Sequence, residues 1–207
     1  MLEILKFNMK IIIISGPTGS GKTYLTNKIL SKFKNGFELS TDNYYKTGLM
    51  SNLLSKIIDG YYDRKISFNY KLFKKDFYYI CKNKKSEHIY SYDFIKKTIK
   101  KTYKKKINID YIIVEGIFTK ELLRDFKEHN CFFIELETKK ESCMNRVIKR
   151  DLNERGKRKD LAKNDFLKSW NLYYGKNYRS NEFLKALVYS NKTDIYKEIK
   201  NNLNLKT

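Results

Sequence analysis

Four consecutive isoleucines, Ile11–Ile14, are followed by a run of small and polar residues. After that run Leu25, Ile29, Leu30 and Phe33 recur at helical spacing. This pattern predicts a strand buried on both faces, a short loop, and a helix from Tyr24 to Phe33 with one apolar side. Gly36-Phe37-Glu38-Leu39-Ser40 is a short second strand. Lys46 to Asp59 carries a weaker helical period in Leu49, Leu53, Leu54, Ile57 and Ile58, and Phe68 to Cys81 a stronger one in Leu72, Phe73, Phe77 and Ile80. Ser86 to Phe94 has the length of a small strand or hairpin.

Tyr111-Ile112-Ile113-Val114 and Cys131-Phe132-Phe133-Ile134-Glu135-Leu136 again read as buried strands. Helices are predicted at Glu121–His129, at Lys139–Glu154 and over the aromatic-rich stretch Asp165–Tyr178. Leu184–Tyr189 is a last short strand and Asp194–Leu205 a closing amphipathic helix. Strands alternating with helices predict an α/β fold, with a parallel sheet of about five strands and helices on both faces. At 207 residues, with no Pro/Gly/Ser-rich linker and no internal repeat, the chain suits a single domain over residues 1–207.

The loop after the isoleucines carries the strongest chemistry. Gly16-Pro17-Thr18-Gly19-Ser20-Gly21-Lys22-Thr23 fits G-x-x-x-x-G-K-[ST] at every defined position, between a strand and a helix as the motif requires. The glycines let the backbone fold so that successive N–H groups point at phosphate oxygens, and the helix N-terminus adds partial positive charge. Lys22 would reach the β- and γ-phosphates of a nucleoside triphosphate, and the Thr23 hydroxyl would hold Mg²⁺. A chance glycine-rich turn would not need all these parts together. The expectation is a P-loop NTPase fold.

Two acids stand at strand ends, where ligands bind in open α/β sheets. Asp42, just past the second strand, either takes a proton from a substrate hydroxyl or caps a turn. Glu115, ending the strand Tyr111–Val114, is placed like a Walker-B carboxylate on the metal side. Arg146, Lys149 and Arg150, running into Arg155-Gly156-Lys157-Arg158, form either a solvated basic helix end or a lid whose cations stabilise transferring charge. The dense aromatics between residues 61 and 94 read as a stacking surface for a base or as a satellite core under an insertion, and composition favours the core.

Composition changes this picture little. The net charge is +21, but only seven of the 44 basic residues are Arg. The lysines lie in solvated helical faces and in runs such as Lys104-Lys105-Lys106, so a generally basic surface is favoured over a nucleic-acid partner. Cys81, Cys131 and Cys143 are odd in number and lack metal-ligand spacing, which fits reduced thiols and a cytoplasmic protein. Residues 1–9 read as neither a signal peptide nor a membrane span, and His88 and His129 as incidental.

Taken together, these residues resemble the uridine kinase family of P-loop nucleoside kinases, relatives of phosphoribulokinase and bacterial-type pantothenate kinase, from Ile11 to about Asp165. Ser40-Thr41-Asp42-Asn43-Tyr44-Tyr45 is similar to the family's S-x-D-x-F-Y segment. The resemblance implies that Asp42 is the general base for a ribose 5′-hydroxyl and that Tyr45 lies near the substrate. Tyr61-Tyr62-Asp63-Arg64 is similar to the N-F-D-H segment, which implies that Asp63 holds the ribose hydroxyls. Tyr90-Ser91-Tyr92-Asp93-Phe94 stands for P-x-Y-D-F beside the base, placing Tyr92 and Phe94 there. Val114-Glu115-Gly116-Ile117-Phe118 matches V-E-G-I-F/L. Arg146 to Lys157 is similar to the RRIKRDxxERGR lid, with Arg146 on the substrate side and Arg150, Arg155 and Lys157 clamping phosphate.

Some positions depart from that pattern. Val147 replaces an Arg, and Lys157 replaces the final Arg, keeping charge but losing the bidentate fork. Asp165 replaces a lid glutamine. The family's base-contacting histidine has no counterpart, because Phe94 is followed by Ile95-Lys96-Lys97. The implied insertion covers about 44–106 and the lid about 139–165. The implied activity is transfer of the γ-phosphate of ATP or GTP, with Mg²⁺, to uridine or cytidine. The alternatives are a kinase of a phosphorylated sugar or pantothenate-like alcohol, and a non-catalytic nucleotide- or RNA-binding protein. No membrane partner is expected, and a homo-oligomer is left open.

Overall fold

The computed structural model describes residues 8–126, 129–175, 186–189 and 194–205. Strand β1 (Lys10–Ser15) is the isoleucine run, followed by helix α1 (Lys22–Lys32) and strand β2 (Gly36–Ser40). Two further strands, β5 (Tyr111–Glu115) and β6 (Asn130–Leu136), and a last one, β7 (Ala186–Tyr189), complete a five-stranded sheet in the order β2-β5-β1-β6-β7. Every pairing in it is parallel, with Ile11 opposite Ile112 on one side and Cys131 on the other.

Successive side chains of a strand point to opposite faces, so the apolar runs feed two cores. Ile12, Ile14, Ile113 and Ile134 pack under α1 through Leu25, Ile29 and Phe33, and under α7 (Ile195–Leu203). Ile11, Ile13, Ile112 and Val114 face the other way, against α3 (Tyr70–Asn83) and α4 (Thr119–Phe126). Asn69 caps α3 by accepting from the Leu72 N–H at 3.2 Å, and Asp194 caps α7 through the N–H groups of Tyr196 and Lys197.

Between β2 and β5 stand α2 (Leu49–Ile57), α3, and an antiparallel hairpin of β3 (Ser86–Asp93) and β4 (Thr98–Lys106). Tyr44, Tyr45, Phe68, Phe73, Phe77 and Tyr92 share one core with Ile11 and Leu39. The aromatics are therefore not a satellite core: they extend the main core on one sheet face. In α2 the apolar period is present but turned outward, with Leu49 91% exposed and only Ser51 buried. After β6, α5 (Lys140–Arg155) and α6 (Lys159–Gly175) pack through Cys143, Val147 and Phe166. No helix among the described residues is long and apolar enough to cross a membrane.

Candidate active site

The loop between β1 and α1 turns on two left-handed glycines, Gly19 (φ 78°) and Gly21 (φ 100°), the latter opening α1. At Gly19 a side chain would run into the backbone carbonyl of Cys143 in α5 as well as demanding an unfavourable φ. Helix α5 and the segment before it grip the loop here: Arg146 Nη1 donates to the Gly19 carbonyl at 3.2 Å, and Thr138 Oγ1 to the Ser20 carbonyl at 3.1 Å. Lys22 Nζ donates to the carbonyls of Gly16 and Pro17, each at 3.0 Å. Burial pushes its ammonium below the usual lysine range, against the attraction of Glu115 and Asp42.

Asp42 is set by a segment pinned from three sides. The Asn69 N–H donates to the Tyr44 carbonyl at 2.7 Å, and Tyr44 Oη donates to Asp76 at 3.0 Å. Asn43 Oδ1 accepts from the Tyr92 N–H of β3 at 3.1 Å. Asp42 Oδ1 is itself buried and has no hydrogen-bond partner among the described residues. Burial raises its carboxyl, while Lys22, Arg150 and Arg155 pull it back down. Glu115 accepts from the Ser40 hydroxyl, and burial, then the Asp42 charge, push it up to about 7.

Two cavities meet at these residues. One, of about 230 Å³, is lined by Lys22, Thr23, Glu115 and Arg146 with the loop glycines. The other, of about 700 Å³, is lined by Tyr45, Tyr62, Asp63, Tyr92 and Phe94 on one side and by Arg155 and Lys157 on the other. Thr18, Asp42, Ile117, Val147 and Arg150 line both. Arg146, expected on the acceptor side, thus lies on the phosphate-loop side. Arg155 and Lys157, expected on phosphate, line only the larger cavity, while Asp42 and Arg150 stand where the two cavities meet.

The walls of the larger cavity are aromatic. The Tyr45 ring lies 4.8 Å from Tyr92 and 5.5 Å from Tyr62, centre to centre. Asp63 Oδ1 accepts from Ser169 Oγ of α6 at 2.7 Å, so α6 fixes the carboxylate expected to hold ribose.

Asp151 is the residue that sequence reasoning missed. Only 2% exposed, it accepts Arg150 Nε and Nη2 at 2.9 and 2.8 Å, and pairs with Arg155 Nη1 at 3.3 Å and Lys157 Nζ at 3.4 Å. Its four-residue spacing from Arg155 on one helix was the available signal. Lys157 also pairs with Asp165 at 2.8 Å, and the Arg155 guanidinium lies 4.0 Å from the Phe94 ring centre, joining the end of α5 to the hairpin.

Among the described residues no cluster of three or more His, Cys, Asp or Glu could cage a metal. Thr23, Asp42 and Glu115 on the smaller cavity instead offer hard oxygens of the kind that suits Mg²⁺, an ion that keeps its waters and binds through one or two carboxylates and substrate phosphates.

The model of the phosphoribulokinase / uridine kinase family matches residues 11–174, which include both compartments and the cations between them. The chain belongs to this family. A uridine kinase of Borrelia hermsii is 32% identical over 151 residues, covering 72% of this chain and 70% of that one. A uridine kinase of Staphylococcus aureus is 31% identical over 165 residues, covering 76% and 75%. The D-glycerate 3-kinase of Cryptococcus neoformans shares the fold, with a TM-score of 0.58 at 12% identity over 81% of this chain and 78% of that one. This family member is a phosphotransferase with an alcohol acceptor, a kinase of nucleosides or similar small molecules that draws on a nucleotide phosphoryl donor.

Proposed function

We propose that the chain transfers the γ-phosphoryl group of ATP, or of GTP, to the 5′-hydroxyl of uridine or cytidine. The observation that carries this reading is the junction: Asp42, whose buried Oδ1 has no hydrogen-bond partner among the described residues, and a cation, Arg150, border both the phosphate-loop cavity and the aromatic one. A hydroxyl entering from the aromatic side meets a γ-phosphate entering from the loop side there.

Asp42 accepts the hydroxyl proton as the new P–O bond forms and the bond to the leaving diphosphate breaks. Lys22 and the backbone of Gly16, Pro17, Thr18, Gly19, Ser20 and Gly21 hold the phosphates. Arg150 and Arg155, with Lys157 behind them, meet the charge on the transferring group. Thr23 and Glu115 would hold Mg²⁺, which would supply positive charge to a bound nucleotide. Tyr45, Tyr92 and Phe94 flank the nucleoside, and Asp63 binds the ribose hydroxyls. We place the reaction in the cytoplasm, treat residues 44–106 as the acceptor-side insertion and 139–165 as the lid, and assign no role to nucleic acid.

Mg²⁺-dependent ATP and GTP consumption, measured against uridine, cytidine, purine nucleosides, sugar phosphates, glycerate and pantothenate, tests the reading. Turnover highest with a pyrimidine nucleoside is the expected result. Turnover confined to a sugar phosphate, glycerate or pantothenate would replace the acceptor, and steeply salt-dependent RNA binding without phosphoryl transfer would replace the activity.

Asp63 gives a sharper check on the acceptor half. Asp63→Ala removes charged hydrogen bonds worth about 1.5–3 kcal/mol. The KM for nucleoside rises by about 10- to 100-fold, with kcat and the KM for nucleotide nearly unchanged in steady-state assays. Unchanged constants throughout would remove Asp63 from the ribose.

A further inference from the structure

The acceptor cavity extends beyond the lining that it shares with the phosphate-loop cavity through Asp42 and Arg150. There the turn joining β3 to β4 meets α2, and Ile95 and Lys97 from the turn line the cavity together with Ser55 and Lys56 from the helix. Lys97 takes a left-handed backbone conformation (φ 53°), closing the turn. Its Nζ lies 5.4 Å from the centre of the Tyr62 ring and 3.5 Å from Ser55 Oγ. Among the lysines of the turn and the adjoining strand, Lys96, Lys100 and Lys101 are exposed, whereas Lys97 is half-buried.

The acids around it are engaged elsewhere. Asp93 accepts the backbone N–H groups of Ile95 and Lys96 at 2.9 and 2.8 Å. Asp59, on the same rim, pairs with Lys168 at 2.7 Å, and Asp63 accepts from Ser169. An ammonium has three donors and no acceptor. Here one of them reaches a serine hydroxyl at the limit of hydrogen-bonding distance, and an aromatic face lies alongside. A partly desolvated cation in this setting suits an oxygen acceptor brought by the ligand.

Resting on the nucleoside reading above, we propose that Lys97, supported by Ser55, determines base specificity by donating to a carbonyl oxygen at the end of the acceptor furthest from the reacting hydroxyl. With the ribose at Asp63, the base lies along the wall of Tyr45, Tyr62 and Tyr92. Its outermost atom is the substituent opposite the glycosidic nitrogen. In uracil that substituent is a carbonyl oxygen; in cytosine it is an amino group. An ammonium facing an amino group sets donor against donor, so the pocket favours uridine and disfavours cytidine.

The test is kcat/KM for uridine and for cytidine in the wild-type chain, in Lys97→Met and in Lys97→Glu. The wild type prefers uridine by about tenfold or more. Lys97→Met loses about 10- to 100-fold on uridine, the range of one charge-assisted hydrogen bond, and little on cytidine. Lys97→Glu reverses the preference, because a carboxylate accepts from the amino group. Lys97 does not line the donor cavity, so the KM for nucleotide stays put in every variant. A wild type that prefers cytidine, an unchanged ratio in Lys97→Met, or an equal loss on both nucleosides overturns the role of Lys97 while leaving a nucleoside kinase. A wild type that phosphorylates neither nucleoside but another alcohol overturns both readings together.

Discussion

Asp42→Asn lowers kcat by about 10²- to 10⁴-fold, the usual contribution of a positioned general base, and leaves nucleotide affinity close to that of the wild type. The substitution keeps the shape of the side chain and removes its ability to take a proton. Asp42 stands on a segment locked by Tyr44, Asn43 and Asn69, so the amide occupies the same place. The phosphate contacts belong to Lys22 and the loop, which do not depend on the Asp42 charge for their geometry. Calorimetric titration with a nucleotide, set beside single-turnover rates, separates the two effects. A single-turnover rate within threefold of the wild type would take the proton-accepting role away from Asp42.

Gly116→Ala is the second large effect, and it is structural first. Gly116 follows Glu115 at the end of β5 with φ 134°, a conformation closed to side-chain-bearing residues. A methyl group there would overlap Thr41 Oγ1 and crowd Asp42 Oδ1 at 3.3 Å. Backbone strain costs about 1–3 kcal/mol and overpacking a similar amount, giving a total destabilisation of about 2–6 kcal/mol. For a chain of this size that lowers Tm by roughly 4–24 °C. Activity falls further than folding alone explains, because relief of the overlap pushes on the segment that carries Asp42. Thermal denaturation together with kcat at a temperature where the variant is fully folded distinguishes the two contributions. A variant with wild-type Tm and kcat would show that Thr41 can yield without moving Asp42.

The frame of the fold was readable because its strands are parallel and buried on both faces. Ile11–Ile14, Tyr111–Val114 and Phe132–Ile134 had to be unbroken apolar runs, and such runs bounded by polar loops leave little choice of element. The loop Gly16–Thr23 was readable for a different reason: its glycines answer a backbone requirement that few other residues satisfy. Strand β4 was not readable. Thr98–Lys106 is exposed along nearly its whole length, so no alternation marks it, and lysine runs carry no strand signal. Helix α2 kept its period, but the period says only that one side is apolar, not that the side is covered.

Within the site, residues belonging to one contiguous motif could be placed, whereas contacts between distant segments could not. Ser169 reaching Asp63 across 106 positions has no local signature. The placement of Arg146 on the loop side follows from its tether to Gly19, again a contact that sequence distance hides. Asp151 was in view throughout but looked like one more charge in a charged helix. Its burial gives it meaning: a carboxylate shielded from water can hold Arg150, Arg155 and Lys157 in fixed directions, whereas an exposed one would lose them to solvent.

The free edge of β4 bears on how this chain tolerates its own concentration. Among the described residues β4 pairs with β3 alone, leaving the other side of a nine-residue strand with backbone donors and acceptors turned outward. Such an edge is a template on which a second chain can add a strand. Lys100, Lys101, Lys104, Lys105 and Lys106 crowd it, so two hairpins meeting edge to edge would bring their ammonium groups together before their backbones could bond. The lysines that contribute nothing to phosphoryl transfer act as a guard against cross-chain β-pairing. That guard is electrostatic, so it weakens as salt screens it or as lysine charge is removed.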